Sequence, residues 1–524
     1  MNPADRAVNP ADAAREHRIA VGLSLVCFFT YLIFLIRYGE MFYWGSDMVA
    51  NTAYAVTMFR DVLTSGWTVP KPAEMLFFGI VYGITRDLWF VHLVLIVATG
   101  LTVWGGCRLI LRCYGTWIGC VAFCVFMIGV PGMFRATLVG GPGVLNTLFL
   151  FLAVLFAFRW WGKRDRILLL VFLSLANLTR PDSWPCTALI ILAILSLRSL
   201  DRKRVALERS DLWFLVPMAM PLTWAALGWG VFGDPLYSMN IAKAFAAEAF
   251  RSEGPGEVSR FGLAASYLPR LKTVLLDLFS ISGGLSASVI VLTALVVAGI
   301  RTMVRRAPRV TLLIACLFAG TLVFYLVYAL RGTMFRADYI YAVLVGVVLI
   351  ASVGLGSLCD LLARVRPQGM RLLIQAGLAA GVVLFLTLGP ITEKTIGDTL
   401  PTLSRRAAAS QRARPAIERI VEDARWSATG LPPIILTTQD IPPSRIALKL
   451  GTGKDIYLIE RIMSKQGLGE SDLLPVFTGR TVYFCGGEQL PEKMRQFVQK
   501  LIDEAKAGDI LYRQDDALIL RCEY

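Results

Sequence analysis

The 524 residues are 56% hydrophobic and only 17% charged, and the mean hydropathy is +0.60. This composition excludes an ordinary water-soluble globular protein. The apolar residues come mostly in runs of about 16 to 22, the length that crosses a bilayer core of about 30 Å. Most of the chain is therefore predicted to lie in a membrane.

The net charge of +15 is unevenly distributed. Residues 1–391 carry 34 Lys/Arg and 20 Asp/Glu, whereas residues 392–524 carry 19 and 18. With the N-terminus placed in the cytoplasm, the loops on the inside hold 21 Lys/Arg in about 71 residues and those on the outside hold 12 in about 118. This asymmetry is typical of the positive-inside rule. It favours membrane lipids as partners and argues against nucleic acid.

Apolar runs separated by polar breaks predict eleven membrane crossings and place the C-terminal region outside. The predicted spans are 19–37, 88–107, 116–131, 143–158, 167–179, 184–197, 213–232, 279–300, 310–330, 338–358 and 372–389. The stretch 167–197 is interrupted by Arg180-Pro181-Asp182. One kinked span there would give ten crossings and reverse the side of the tail, but 31 residues are too many for one ordinary span and proline favours a turn. A helical hairpin is the preferred interpretation.

Three regions follow from this pattern: a cytoplasmic N-terminus (1–18), a membrane domain (19–391) and an extracytoplasmic α/β domain (392–524). The membrane domain has two long outside loops, 38–87 and 233–272. In the tail, helices are predicted at 403–425 and 491–507, and strands at 434–438, 456–459, 481–485, 510–512 and 517–522. The tail contains no catalytic motif, so a lid, an acceptor platform or a partner contact is its expected role.

Cysteine and histidine usage gives two further expectations. Of ten cysteines, only Cys485 and Cys522 lie in the tail, where a disulfide or two buried thiols are equally compatible with the sequence. His17 and His92 are the only histidines, which makes a histidine-based metal site an unfavourable interpretation.

The first outside loop is the most informative segment. Ser46 or Asp47 can cap a helix whose apolar residues at 55, 58, 59, 62 and 63 keep a period of 3.6. Such a helix would lie on the membrane surface just after the first span. Its N-terminal carboxylate would then be at the lipid boundary, where a general base could meet a lipid-linked substrate.

Four segments resemble the GT-C superfamily of polytopic membrane glycosyltransferases, including its protein-mannosyltransferase and arabinosyltransferase members. The first is Asp47 followed by an aromatic-Ala-x-x-x-x-Arg rhythm from Tyr54 to Arg60. The others are Leu178-Thr179-Arg180-Pro181-Asp182, Phe232-Gly233-Asp234-Pro235-Leu236 and Arg336-Ala337-Asp338-Tyr339. Their order and their predicted outside placement are similar to the pattern of that group.

The resemblance implies an α-helical polytopic fold of the GT-C type and the transfer of a sugar from a polyprenyl phosphate to an acceptor hydroxyl, with inversion. Asp47 would be the general base. The cations expected at the donor phosphate are Arg180, Arg336, Arg331, Arg135 and Lys71. Acceptor-binding or supporting roles fall to Tyr54, Asp182, Asp234 and Tyr339. No cofactor is expected, because the lipid-linked sugar is itself the substrate. Many members have two adjacent acidic residues in the first loop, whereas Ser46 precedes Asp47 here, so no divalent metal is expected.

Other interpretations remain open. A transporter or lipid flippase also has many spans and basic residues at one face, but the spans here are almost free of charged residues. A scaffold or receptor anchored by eleven spans is a further alternative. Asp47 is compatible with a plain helix cap, Arg180 and Arg336 with snorkelling at span ends, and Gly233-Asp234-Pro235 with a turn. The donor, pentose or hexose, and the acceptor, a glycan, lipid or protein, are not encoded in a recognisable motif. A bacterial inner membrane with the active face toward the periplasm fits the charge pattern.

Overall fold

The computed structural model describes residues 10–38, 47–56, 71–130, 133, 136–138, 143–158, 163–202, 209–236, 240, 287–330, 341–364, 377, 414–424, 433–437, 446, 449–450, 455–459, 475, 477–487, 492–514 and 517–524. Long helices account for most of this part of the chain, and a small sheet forms near the C-terminus.

Each of the first ten predicted spans overlaps a helix over its described residues; residues 131, 279–286 and 338–340 of these spans lie outside the described residues. The helices up to residue 364 are α1 Pro10–Tyr38, α2 Asp47–Val56, α3 Pro72–Thr85, α4 Leu88–Tyr114, α5 Trp117–Gly129, α6 Gly143–Phe158, α7 Lys163–Thr179, α8 Ser183–Arg202, α9 Leu215–Phe232, α10 Ala287–Arg306, α11 Pro308–Leu330 and α12 Tyr341–Arg364. A 3₁₀ turn, Arg209–Phe214, precedes α9. The eleventh predicted span, 372–389, lies outside the described residues apart from residue 377, so the count of eleven crossings stays a prediction.

Five helices are long and apolar enough to cross a bilayer: Ala14–Arg37, Leu88–Tyr114, Ser183–Leu200, Asp211–Gly230 and Tyr341–Leu362. Shorter apolar helices accompany them at Pro72–Thr85, Trp117–Gly129, Gly143–Ala157 and Pro308–Phe324. On α9 and the turn before it, Trp213 and Trp229 are both well exposed. Sixteen residues of helix separate them by about 24 Å, a spacing that suits two interfacial aromatic belts. The chain is a multi-pass membrane protein.

Small residues let several helices cross closely. A Cβ added at Gly354 of α12 would collide with the Leu295 carbonyl of α10, and one added at Gly299 would collide with the Ile350 carbonyl. On α11, a Cβ at Gly320 would lie 2.5 Å from the Cys186 backbone of α8. Such contacts are typical of helix association in lipid, where van der Waals packing replaces the hydrophobic effect between helices.

The helix ends pair as the predicted topology requires. At ends predicted to be inside, Arg306 Nη1 donates to the Tyr114 carbonyl, and Arg198 forms a buried ion pair with Asp211. At ends predicted to be outside, Ser183 Oγ donates to Asn146 Oδ1 over 2.5 Å. Each of these contacts therefore joins two helix ends that the prediction places on the same side of the membrane.

The chain reverses direction at Arg180-Pro181-Asp182, which confirms the predicted hairpin. Thr187 Oγ1 donates to Asn177 Oδ1 at 2.8 Å, whereas ten residues of continuous helix would separate the two positions by about 15 Å along the axis. The Asn177 carbonyl also accepts the indole N–H groups of Trp184 and Trp224.

Helix α3 was not predicted, because its 14 residues are too few for a span. Its start signal is nevertheless ordinary, with Pro72 at the first helical position and Glu74 in the first turn. One face, which includes Phe78, is buried, and Leu76, Ile80 and Ile84 are exposed on the other. A short helix with such an apolar outer face is suited to contact lipid tails.

The C-terminal region forms a five-stranded mixed sheet, as predicted. Its strands are β1 Ile434–Thr437, β2 Ile456–Leu458, β3 Thr481–Gly487, β4 Ala507–Gln514 and β5 Ala517–Glu523, in the order β2-β1-β3-β5-β4. Strands β1, β2 and β3 are parallel to one another, and β5 pairs antiparallel with both β3 and β4. Residues 414–424 and Glu492–Asp503 form helices within the two predicted helical stretches.

The strand pairing places the two tail cysteines, Cys485 and Cys522, on opposite faces of the sheet. Cys485 packs with Ile435 and Ile519 on one side of the sheet, whereas Cys522 packs with Val482 and Phe484 on the other. Both are free thiols. Since successive side chains of a strand point to opposite faces, a disulfide between them would require the sheet to rearrange.

We therefore expect Cys522 to react slowly in the folded protein. Burial raises the pKa of the Cys522 thiol from 9.0 to about 11, so its thiolate fraction at pH 8 is about a hundredfold below that of a free thiol and rises with pH. Iodoacetamide labelling at pH 8, followed by peptide mass spectrometry, should show little modification before unfolding and full modification after it. A peptide pair linked through Cys485 and Cys522 would contradict this assignment.

Candidate functional site

Helix α2 carries Asp47 and Tyr54, two of the site residues predicted in the first outside loop. Asp47 is its first residue and Tyr54 lies two turns later; their backbone is described, whereas their side chains are not. The predicted continuation of this helix to residue 63 lies outside the described residues. Asp47 at a helix N-terminus agrees with the capping pattern of the sequence, and the helix dipole favours a carboxylate there.

A buried polar cluster ties α2 to the start of α3. Asn51 Nδ2 donates to Glu74 Oε2 over 2.9 Å, and Asn51 Oδ1 accepts from the backbone N–H of Lys71 over 3.0 Å. Lys71 Nζ lies 3.6 Å from Glu74 Oε2, and both side chains are at most one-tenth exposed. Lys71, predicted as a donor-phosphate cation, is thus already partly neutralised by Glu74.

The axes of α2 and α3 approach closely at Gly79. A Cβ at this position would lie 2.5 Å from the Cβ of Ala55. Both atoms are fixed to their backbones, so a side chain at Gly79 must push the two helices apart. The glycine therefore sets how α2 lies on α3.

We expect Gly79→Ala to impair whatever activity depends on α2, by about tenfold or more, because a displacement near 1 Å is enough to misplace a catalytic group. The control is Gly83→Ala on the same helix, where an added Cβ meets nothing within 4 Å. The measurement is turnover together with the thermal midpoint in detergent. Equal turnover of the two variants would show that the helix contact is not critical.

The hairpin turn between α7 and α8 holds two predicted residues in direct contact. Arg180 Nε donates to Asp182 Oδ1 over 2.8 Å, and their side chains are 6% and 4% exposed. A buried ion pair of this kind holds a guanidinium in place without exposing it to water. The structure therefore brings Arg180 and Asp182 together and makes Asp182 the orienting partner.

Two other helices anchor this turn. Ser183 bonds Asn146 in the first turn of α6. Cys186 Sγ lies 3.5 Å from the Leu317 carbonyl of α11 and 3.6 Å from Thr321 Oγ1. The position of Arg180 is consequently set by contacts of its turn with two helices that are distant in sequence.

The two polar groups lie close to one aromatic contact. Phe77 of α3, three residues after Glu74, has its ring centroid 5.8 Å from that of Phe149 of α6, three residues after Asn146. Three residues of helix rise about 4.5 Å. Helices α3 and α6 therefore touch through these rings, each within about one helical turn of a polar residue of the two groups.

Asp234, predicted as a supporting residue, has a local structural role in the described part of the chain. Gly233 ends α9 with a positive φ of 68°. Asp234 Oδ1 accepts from the Leu236 N–H and Oδ2 accepts from Asn240 Nδ2, both over 2.8 Å. The chain turns back at this point, because the Asp234 N–H donates to the Gly228 carbonyl over 3.3 Å. The structure does not join Asp234 to Arg180.

Four predicted residues, Arg135, Arg331, Arg336 and Tyr339, lie outside the described residues. Their flanks are anchored to the bundle. Thr137, two residues after Arg135, accepts from or donates to two residues of α4: its carbonyl lies 3.1 Å from His92 Nε2, and its Oγ1 lies 3.0 Å from Thr99 Oγ1. Tyr341, two residues after Tyr339, is buried at the start of α12. His92 thus supports the segment next to Arg135.

Sequence reasoning missed Asn51, Glu74 and Asn146. Only Glu74 had a local signal, the Pro-x-Glu start of α3. Among the described residues, no three His, Cys, Asp or Glu side chains are grouped so as to hold a metal ion. The described site residues therefore form two buried, charge-paired groups, one between α2 and α3 and one at the turn between α7 and α8.

No family model matches this sequence, and no curated protein sequence matches it. Solved structures do match. The crystal structure of ArnT from Cupriavidus metallidurans in the apo state aligns with a TM-score of 0.57 at 12% identity, covering 95% of this chain and 97% of that chain. The same protein bound to undecaprenyl phosphate aligns with a TM-score of 0.55 at 13% identity, covering 96% and 97%. The chain therefore has the GT-C fold over nearly its whole length, as predicted.

Proposed function

We propose that this protein is a membrane glycosyltransferase that moves a sugar from a polyprenyl-phosphate donor to an acceptor hydroxyl on the extracytoplasmic face. The observation that carries the proposal is the match of the fold along nearly the entire chain to a structure that binds undecaprenyl phosphate. The polar groups of α2, α3 and the hairpin turn, all in segments predicted to lie on the outside, support it. The setting proposed is a bacterial inner membrane, with the N-terminus cytoplasmic and residues 392–524 periplasmic.

In the proposed reaction, Asp47 takes the proton of the acceptor hydroxyl, and the acceptor oxygen forms a bond to the anomeric carbon. The bond from that carbon to the phosphate oxygen breaks, and the polyprenyl phosphate leaves with the electron pair. A single displacement inverts the anomeric centre. The negative charge of the leaving phosphate requires cations, for which Arg180, Arg336, Arg331 and Arg135 are proposed. Lys71 is proposed as a weaker contributor, because Glu74 already offsets its charge.

The residues expected to support the reaction have different roles in this proposal. Asp182 orients Arg180 through their ion pair. Tyr54 and Tyr339 are retained as acceptor-side or supporting residues because of their predicted outside placement. Asp234 is given a turn-forming role only. The acceptor remains a glycan, a lipid or a protein, and the sugar a pentose or a hexose.

The proposal is tested by incubating the purified protein with labelled polyprenyl-phosphate pentoses and hexoses and a membrane extract as acceptor. Transfer from one lipid-linked donor, and none from the matching nucleotide sugar, is the expected result. A parallel arm with a chelator tests the expectation that no divalent metal is needed, with unchanged transfer expected. Scrambling of labelled polyprenyl phosphate across liposomes without any transfer would instead favour a flippase.

A further inference from the structure

Asn51 bonds two groups on α3 with the two ends of one carboxamide. Its oxygen accepts the N–H of Lys71, the residue that caps the start of α3, and its nitrogen donates to Glu74 in the first turn of that helix. Asn51 is fully buried and Glu74 is 2% exposed. A carboxamide held at both ends has a fixed orientation, so it also fixes the rotation of α2 about its own axis.

That rotation matters because of where Asn51 lies. It is four residues after Asp47, and residues four apart lie on the same face of a helix, one turn from each other. Met48, Thr52 and Ala53 of α2 are also fully buried, so the hydrogen bonds of Asn51 act together with this packing to fix the register of the ten-residue helix. The close contact of Ala55 with Gly79 sets the spacing of the two helices, and the directional hydrogen bonds of Asn51 add a constraint on the rotation.

We infer that Asn51 is a positioning residue for Asp47, and that the acceptor oxygen of Glu74 sets the direction in which Asn51 points. The inference rests on the proposed function, because it assigns a role in the transfer reaction. Lys71 completes the cluster. Its ammonium offsets the Glu74 charge, which allows a carboxylate to remain buried beside the neutral amide.

The test exchanges the two hydrogen-bonding groups. Asn51→Asp alone places two carboxylates face to face. In the double variant Asn51→Asp with Glu74→Gln, the aspartate at position 51 still accepts the Lys71 N–H. The glutamine at position 74 now donates to the aspartate, so the hydrogen bond is kept with its direction reversed. The double variant keeps the net charge of the cluster. The control is Thr52→Val, because the buried Thr52 hydroxyl bonds only the Met48 carbonyl of its own helix among the contacts described, over 2.7 Å.

In a polyprenyl-phosphate-sugar transfer assay, Asn51→Asp and Asn51→Leu are expected to lower kcat by about thirtyfold to a hundredfold with the donor KM nearly unchanged. The exchanged double variant should recover to within about threefold of wild type. Thr52→Val should behave as wild type. The thermal midpoint is measured for each variant, so that a loss of kcat is compared among proteins of equal stability.

The inference is overturned if Asn51→Leu keeps the wild-type kcat, or if the double variant recovers its thermal midpoint but not its kcat. It fails separately from the proposed function. Wild-type transfer that is abolished by Asp47→Asn but insensitive to Asn51 would remove only the positioning role. No transfer by wild-type protein from any lipid-linked donor would remove both.

Discussion

Asp47→Asn is expected to lower the rate of sugar transfer at least about a hundredfold, the scale of losing a general base. The substitution keeps the shape of the side chain and its ability to cap α2, because asparagine is as good an N-cap as aspartate. A purely structural Asp47 would therefore tolerate asparagine with little loss. The measurement is transfer of labelled sugar by purified wild type and variant side by side, with donor KM and kcat determined separately.

The matched control is Asp165→Asn, an equivalent change in the first turn of α7, at an end of the bundle predicted to be cytoplasmic. It should leave transfer unchanged. Equal rates of transfer in wild type and Asp47→Asn would show that Asp47 is not the general base and that it serves only to cap α2. A loss that appears only in KM would point to acceptor or donor binding instead of proton transfer.

Much of the fold was predictable because each feature depends on a local physical requirement. A span needs a minimum apolar length, so ten predicted spans overlap helices. Pro181 cannot continue a helix, and the turn formed where the sequence placed it. The strands of the tail were recognisable from short runs of apolar and β-branched residues. Helix α3 was not predicted because its 14 residues are too few for a membrane span.

The site was less predictable because its contacts join segments that are distant in the chain. Asn51 is an unremarkable polar residue until α3 places Glu74 and the Lys71 N–H at its two ends. Asn146 meets Ser183 across 37 residues. The opposite faces of Cys485 and Cys522 follow from the pairing of Val482 with Cys522, a register that neither strand encodes alone. Arg180 and Asp182 were predictable because their contact is local.

The buried ion pair at the hairpin allows the structural and functional roles of Arg180 to be separated. Asp182→Leu removes the carboxylate that accepts from Arg180 Nε in the buried turn, and removing one partner of a buried pair costs about 3 to 5 kcal/mol. We expect a fall of several degrees in the thermal midpoint. Arg180→Met combined with Asp182→Leu removes both charges and should recover most of that stability, because apolar residues often replace a buried pair without cost.

Transfer should not recover with stability in that double variant. If Arg180 stabilises the departing phosphate, its loss lowers kcat by about a hundredfold to a thousandfold even in a fully folded protein. The matched control is Arg198→Met with Asp211→Leu, because this buried pair lies at helix ends predicted to be on the opposite side. The control should retain both stability and transfer. Wild-type transfer by the hairpin double variant would establish that the Arg180 and Asp182 pair only holds the turn, and the phosphate would then have to be bound by cations from other loops.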